Sequence, residues 1–255
     1  MISVILPIYN KHEMSRDCIQ TIMETTTDYE IIVIDNGSEP PFKPPFSGFN
    51  SVIVIRNEKN EGFPVAINQG IRAATGDIIV LLNDDVVCAP GWAQNLSKWL
   101  EDFDIVGPTT NYCAGLQMVT LPLYENIDEF NKEAGYIAEK NMGVAMEVKF
   151  LIGFCMMFKR ELYDEIGPFD ESLWPCSGEE IDFCYQARGA GYKIGIALDV
   201  YVHHYGSQTF EMMQDAGQLK YGEICARNDA VLAERWGANF WQQQEVRYDR
   251  QNERD

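Results

Sequence analysis

The sequence predicts an α/β fold: a mainly parallel sheet flanked by helices, with a helical C-terminal extension. Three observations carry this. Four short apolar runs alternate with helical patterns in about the first 85 residues, the signature of βαβ units. The most apolar run, Asp77 to Leu82, stops at Asn83-Asp84-Asp85, so a buried strand delivers carboxylates to the rim of a sheet, where open α/β folds bind ligands. From Phe210 onward the pattern is helical and increasingly polar.

The elements follow in order. Ile2 to Pro7 has the length and apolarity of a buried strand, and a helical pattern runs from Met14 to Thr26 after the polar turn Asn10-Lys11-His12. Glu30 to Asp35 is the second strand, ending in the turn signal Asp35-Asn36-Gly37-Ser38 and a Pro-rich loop, Pro40 to Pro45. Ser51 to Arg56 is the third. The polar loop Asn57 to Gly62 feeds a helix from Phe63 to Ala74, with Pro64 in the first turn, where its missing N–H costs nothing. After the fourth strand come a helix over Pro90 to Leu100 and a short strand over Asp104 to Gly107. Residues 108 to 147 read as polar and irregular apart from a helical piece near Ile127 to Lys140, and an insertion of this kind on an α/β core carries specificity. Phe150 to Phe158 is strand-like, Gly167-Pro168-Phe169-Asp170 a turn, Glu179 to Ala190 a helix, and Lys193 to Ala197 and Val200 to His203 two extended pieces. No internal repeat is visible.

Composition excludes several classes. A formal charge of −19 argues against a nucleic-acid partner, because phosphate-backbone binding needs a basic face. No apolar run approaches the roughly 20 residues that span a bilayer, and the chain opens on a strand rather than a leader pattern, so the expected location is the cytoplasm. The seven cysteines form no C-x-x-C pair and read as reduced core residues rather than zinc or disulfide scaffolding.

Two acidic clusters invite chemistry. Asn83-Asp84-Asp85 has carboxylates suited to a hard divalent cation, although Asn and Asp also favour turns for backbone reasons. Glu179, Glu180 and Asp182 crowd the start of a helix, which should raise at least one carboxyl pKa, while Ser177 and Glu180 also have the spacing of a capping box. Trp92, Trp99 and Trp236 lie at helical positions where core packing is the default.

Six motifs stand in a specific order: Pro7-Ile8-Tyr9-Asn10, Asp35-Asn36-Gly37-Ser38, Asn60-Glu61-Gly62 with Ala66-Ile67-Asn68-Gln69-Gly70, Asn83-Asp84-Asp85, Glu179-Glu180-Ile181-Asp182 and Arg235-Trp236-Gly237. Through them, roughly residues 1 to 240 resemble the family 2 glycosyltransferases of GT-A fold, a Rossmann-like α/β architecture. The resemblance implies metal-dependent, inverting transfer of a sugar from a nucleotide diphosphate donor, here UDP- or dTDP-linked, to a hydroxyl of a glycan or other acceptor. It implies Mn²⁺ or Mg²⁺ held by Asp85 and by Asn83, which replaces the first acid of the family's D-x-D motif, with Asp84 facing the ribose or donor sugar. A late histidine completes the metal site in some members; His204 fits by spacing, with His203 beside it.

The same resemblance assigns Asp35 to the base, whose imide N–H it would accept; the competing reading is a turn cap on Gly37 or Ser38. Pro7, Tyr9 and Asn10 would border the base and nucleotide, as would Asn60, Gly62 and Asn68. Inversion needs a general base across the sugar from the metal, and Glu180 occupies the place usually held by an Asp, with Glu179 as the alternative. Asp182 and Trp174 fall on the acceptor and sugar side, where an aromatic stacks on a sugar ring. These assignments divide the chain into a domain over 1–209, with a nucleotide-binding part to about 107 and an acceptor-binding part from about 108, and a helical extension over 210–255 through which two copies would pair. Two other classes compete: a sugar-nucleotide pyrophosphorylase, which needs a Gly-rich basic loop where Pro7-Ile8-Tyr9-Asn10-Lys11 has no glycine, and a binding module without turnover.

Overall fold

The computed structural model describes residues 1–44, 52–242 and 246–249. Pro45, Ser51 and the tail beyond Asp249 lie outside them. The chain runs through β1 (Ile2–Ile8), α1 (His12–Thr25), β2 (Tyr29–Asp35), β3 (Val52–Arg56), α2 (Phe63–Ala73), β4 (Ile78–Leu82), β5 (Val86–Cys88), α3 (Trp92–Lys98) and β6 (Ile105–Thr110). It continues through α4 (Ile127–Lys140), β7 (Val144–Val148), β8 (Cys155–Lys159), α5 (Arg160–Ile166), α6 (Glu179–Gly189), β9 (Ile194–His204), α7 (Gln208–Asp215), α8 (Tyr221–Trp236) and β10 (Val246–Asp249).

The strands form one sheet in the order β10-β7-β9-β6-β8-β4-β1-β2-β3, with β5 pairing β9 off this path. The half built from β4, β1, β2 and β3 is parallel throughout. Side chains alternate across it as the pleat requires: Val4, Leu6, Val33, Val80 and Leu82 enter one core, and Ile5, Ile32, Ile34, Ile79 and Leu81 the other. The first core is covered by Cys18, Ile19 and Ile22 of α1 and by Trp92 and Leu96 of α3; the second by Ala66, Ile67 and Ile71 of α2 and Ile181 and Phe183 of α6. Each fully buried aliphatic or aromatic side chain contributes about 1.5–3 kcal/mol. This rigid half points the ends of β1, β2 and β4 toward one rim, as expected.

Elsewhere the structure departs from the sequence reading. Within Phe150 to Phe158 only Cys155 onward is strand; Phe150, Leu151 and Phe154 are buried loop residues. The two pieces expected at 193–203 are one strand, because β9 passes a register shift opposite Pro108 and Thr109 without breaking. The segment read as irregular contributes β7, and β5 was not anticipated. Residues 246–249, within the extension expected to be helical, form a strand that pairs antiparallel with β7. The boundary expected at 209/210 falls inside α7. Among the described residues no helix is long and apolar enough to cross a membrane.

Helix α8 is built into the core. Leu232 of α8 is fully buried, and the buried Asn228 side chain donates to the carbonyls of Leu173, Cys176 and Ser177 at 2.9, 2.9 and 2.8 Å. Removing that amide strands buried acceptors, so Asn228→Ala is expected to lower stability by about 2 kcal/mol. The check is a lower urea midpoint with unchanged slope.

Candidate active site

The site begins where β4 ends. The Asn83 N–H donates to Phe154 O at 2.9 Å, which turns the next residues toward β9. Pairing of β5 with β9 sets Val86 opposite His204, and the Tyr205 N–H donates to Asp85 O at 2.9 Å, so Asp85 and His204 are held side by side. His204 Nδ1 lies 2.7 Å from Tyr112 O; a carbonyl only accepts, so Nδ1 carries a proton and Nε2 is the nitrogen left to face the site. Nε2 faces Asp85 Oδ1 at 3.1 Å, with the Asn83 amide at 3.5 Å. The Asp85–His204 contact satisfies an ion-pair distance, yet Asp85 Oδ1 is buried without a directional hydrogen bond. A carboxylate oxygen and a ring nitrogen facing one another in a buried corner call for positive charge between them, either a proton on Nε2 or a metal ion.

A divalent cation fits that requirement. One carboxylate, one imidazole and an adjacent amide are few ligands, and among the described residues no group of three His, Cys, Asp or Glu gathers here. Hard cations of this kind are commonly held by one or two carboxylates with substrate phosphates supplying the rest. His203, adjacent on the strand, points the other way: its Nδ1 meets the Tyr124 hydroxyl and its ring packs edge-on to Phe130 and Tyr205. The strand's period of two separates the neighbours, and the assignment of His203 to the metal is corrected.

Asp84 is buried, and its Oδ2 accepts from Ser15 Oγ at 2.6 Å. Burial first, and then the charge of Asp85, push its carboxyl from the ordinary 3.8 up to about 7. The folded chain therefore binds a proton that the unfolded chain has released, so stability falls as pH rises from about 4 to about 7. In EDTA the expected loss is about 4 kcal/mol, absent in Asp84→Asn, as read by chemical denaturation across that range.

A cleft joins this corner to Pro7, Tyr9, Asn60 and Asn83–Asp85, all singled out from the sequence, and adds Asn36, Pro175, Cys176 and the C-terminal residues Ser207, Gln208, Thr209, Met213 and Leu219. Asn36 is the hub of its loop. It donates to Asn60 Oδ1 and Gly62 O at 3.0 and 3.2 Å and accepts from Asn57 Nδ2 and the Glu61 N–H at 2.9 and 3.0 Å. Gly62 adopts φ +89°, and an added Cβ would stand 2.5 Å from the Trp174 ring, so it sets the wall rather than lining it.

Four expected contacts lie elsewhere. Asp35 is fully buried and its oxygens accept from the N–H groups of Ser38 and Phe42, at 2.9 and 3.0 Å, and from Arg56 at 2.5 Å. Burial pushes that carboxyl up, but the bonds from Ser38, Phe42 and Arg56 outweigh it and hold it below the usual range. The turn cap is therefore the arrangement present. Asn10 ties down the same loop, accepting from the Glu39 N–H at 2.9 Å. Asn68 is buried and clamps Phe169, donating to its carbonyl and accepting its N–H at 2.9 and 3.0 Å. Asp182 is fully buried and accepts from Trp236 Nε1, Arg235 Nη1 and Gln186 Nε2 at 2.8, 3.2 and 2.7 Å, joining α6 to α8. Asn68 and Asp182 are corrected to structural roles, because their hydrogen-bonding groups are turned into the core.

Glu179 and Glu180 follow Cys176 at the start of α6. The expected capping box is absent: the N-cap is Gly178, Ser177 has φ +80°, and Glu180 instead accepts the Gly178 N–H at 3.1 Å. Glu180 is half-buried against Gly153, whose added Cβ would come within 3.2 Å of its side chain. Glu179 is buried with Oε2 unpartnered. Burial raises both carboxyls, and the charge of Glu180 also acts to raise that of Glu179. Neither lines the cleft directly. They stand behind its wall: Cys176 lines it, and Phe154, one residue from Gly153, stacks on the His204 ring at 5.1 Å. Trp174 is half-exposed at the outer edge of this wall.

Comparison with known proteins agrees with this fold. The family model described as "Glycosyl transferase family 2" matches residues 3–167. The chain is 26% identical over 236 residues to "Glycosyltransferase AglE" of Haloferax volcanii, covering 88% of this chain and 73% of that protein. Among solved structures, GalNAc-T7 with UDP, GalNAc and Mn²⁺ superposes with a TM-score of 0.60 at 18% identity, over 80% of this chain and 43% of its own. The mannosyltransferase PcManGT of Pyrobaculum calidifontis, with GDP-Man and Mn²⁺, gives 0.56 at 18% identity, over 94% of this chain and 72% of its own. Both structures share a GT-A type fold with this chain.

Proposed function

The chain belongs to glycosyl transferase family 2, and from that premise we propose that it catalyses metal-dependent, inverting transfer of a hexosyl or deoxyhexosyl group from a UDP- or dTDP-sugar to a hydroxyl of a glycan or other acceptor. The observation that carries the reading is His204 Nε2 facing, at 3.1 Å, the Oδ1 of Asp85, which lines the cleft. Asp85, His204 and Asn83 would hold Mn²⁺ or Mg²⁺, as the Mn²⁺-bound neighbours support. Bound there, the cation would neutralise charge on the departing diphosphate.

The remaining work falls to the chain. Pro7, Tyr9, Asn36 and Asn60 form the wall against which the nucleotide packs, and Asp84 takes ribose or sugar hydroxyls. Glu180 removes the acceptor proton, and Glu179 competes for that role. Raised carboxyl pKa values suit a base working near neutral pH. The test is a panel of nucleotide sugars incubated with and without Mn²⁺. Metal-dependent release of UDP or dTDP is expected; NTP formation from added pyrophosphate would establish a pyrophosphorylase instead, and binding without turnover a non-catalytic module.

A further inference from the structure

The main-chain ladder between β6 and β9 ends at the pair Thr110–Val202, two residues short of His204. Beyond it the side chain of Asn111 takes over. Its Oδ1 accepts the His204 N–H at 2.8 Å and its Nδ2 donates to His204 O at 3.1 Å, so one primary amide grips both peptide groups of the histidine as a neighbouring strand would. The chain is then free to turn at Tyr112, whose carbonyl receives His204 Nδ1–H at 2.7 Å. The Tyr112 ring folds over Gly206, where an added Cβ would stand 1.9 Å from it, so this turn tolerates little displacement. Phe154 lies nearly parallel to the other face of the imidazole, at 21°. Backbone, ring nitrogen and ring face are each fixed by a different partner, which leaves Nε2 turned toward Asp85 Oδ1 at 3.1 Å and the Asn83 amide at 3.5 Å.

We propose that Asn111 is a positioning residue for the cation site: by clamping the main chain of His204 it lets the Tyr112 carbonyl lock the ring in the Nδ1–H tautomer, with Nε2 presented to the ion beside Asp85. Partners that orient a metal-ligating histidine through its other nitrogen typically govern affinity by about 10–100-fold. The inference rests on reading Asp85 and His204 as the cation site.

The test is Mn²⁺ titration followed by the electron paramagnetic resonance signal of the free ion, with and without UDP. Wild type should bind, Asn111→Ala should bind about 10–100-fold more weakly, and Asn111→Asp, which keeps an acceptor for the His204 N–H, should recover part of the loss. Leu123→Ala, at a fully exposed site, should match wild type. Equal affinity of Asn111→Ala and wild type overturns the positioning role alone, whereas no Mn²⁺ binding by wild type overturns the cation reading and this inference with it. Long-range ¹H–¹⁵N spectra of the wild-type chain, which has three histidines, give an independent reading without any variant. His204 should appear at pH 8 as the Nδ1–H tautomer; an Nε2–H ring sinks the proposal.

Discussion

Asp85→Asn is expected to lower kcat/KM for donor turnover by about 10³-fold at any Mn²⁺ concentration, while making the metal-free protein more stable at neutral pH. The first effect follows from the donor set: Asp85 brings the one carboxylate whose buried oxygen faces His204 Nε2, and an amide of the same shape leaves the imidazole without an anionic partner. The second follows from Asp84, whose carboxyl is raised by burial and then by Asp85. Neutralising Asp85 removes that repulsion and recovers part of the stability that Asp84 costs above its unfolded pKa. Loss of activity joined to gain of stability marks a site built at the expense of the fold. Steady-state kinetics and chemical denaturation on one preparation decide it; turnover within tenfold of wild type would remove Asp85 from the cation site.

Glu180→Gln should reduce kcat by about 10²-fold or more with little change in KM for the donor. The amide still accepts the Gly178 N–H through its oxygen, so the start of α6 is preserved while the proton acceptor is lost. Glu179→Gln is the necessary companion. Its buried, unpartnered Oε2 makes it the rival base, and the two carboxyls influence one another through charge. A larger loss in Glu179→Gln than in Glu180→Gln would exchange their roles. Near-normal turnover in both would place the base elsewhere.

The parallel half of the fold was legible because β1, β2 and β4 are continuous apolar runs buried on both faces. Loops buried as deeply as strands defeated the same reasoning at Phe150 and Leu151. The apparent break in β9 is Asp199, a polar residue beside the bulge, whose oxygens accept from Trp99 Nε1 and the Gly143 N–H at 2.7 and 3.1 Å. In the site, Asn83, Asp84 and Asp85 announced themselves by ending the most apolar strand. Asn68 and Asp182 belong to family motifs but bind carbonyls and cations of the scaffold, a distinction that residue type alone does not carry. Asn36 was visible only as part of the turn Asp35-Asn36-Gly37-Ser38 and Asn111 had no signature, since each acts on groups brought close only by the fold.

His203 and His204, side by side on β9, face opposite ways: one meets Tyr124 and Phe130 in the 108–147 segment, the other meets Asp85. One stiff strand end thus touches both halves of the proposed reaction. If an acceptor seated on that segment displaced Tyr124 and moved this strand end, the hold on the ion would change, and thermodynamic reciprocity would then require the ion to alter the hold on the acceptor by the same factor. Binding isotherms for Mn²⁺ taken with and without a competent acceptor would reveal this coupling, and identical curves would show the two halves to be energetically independent.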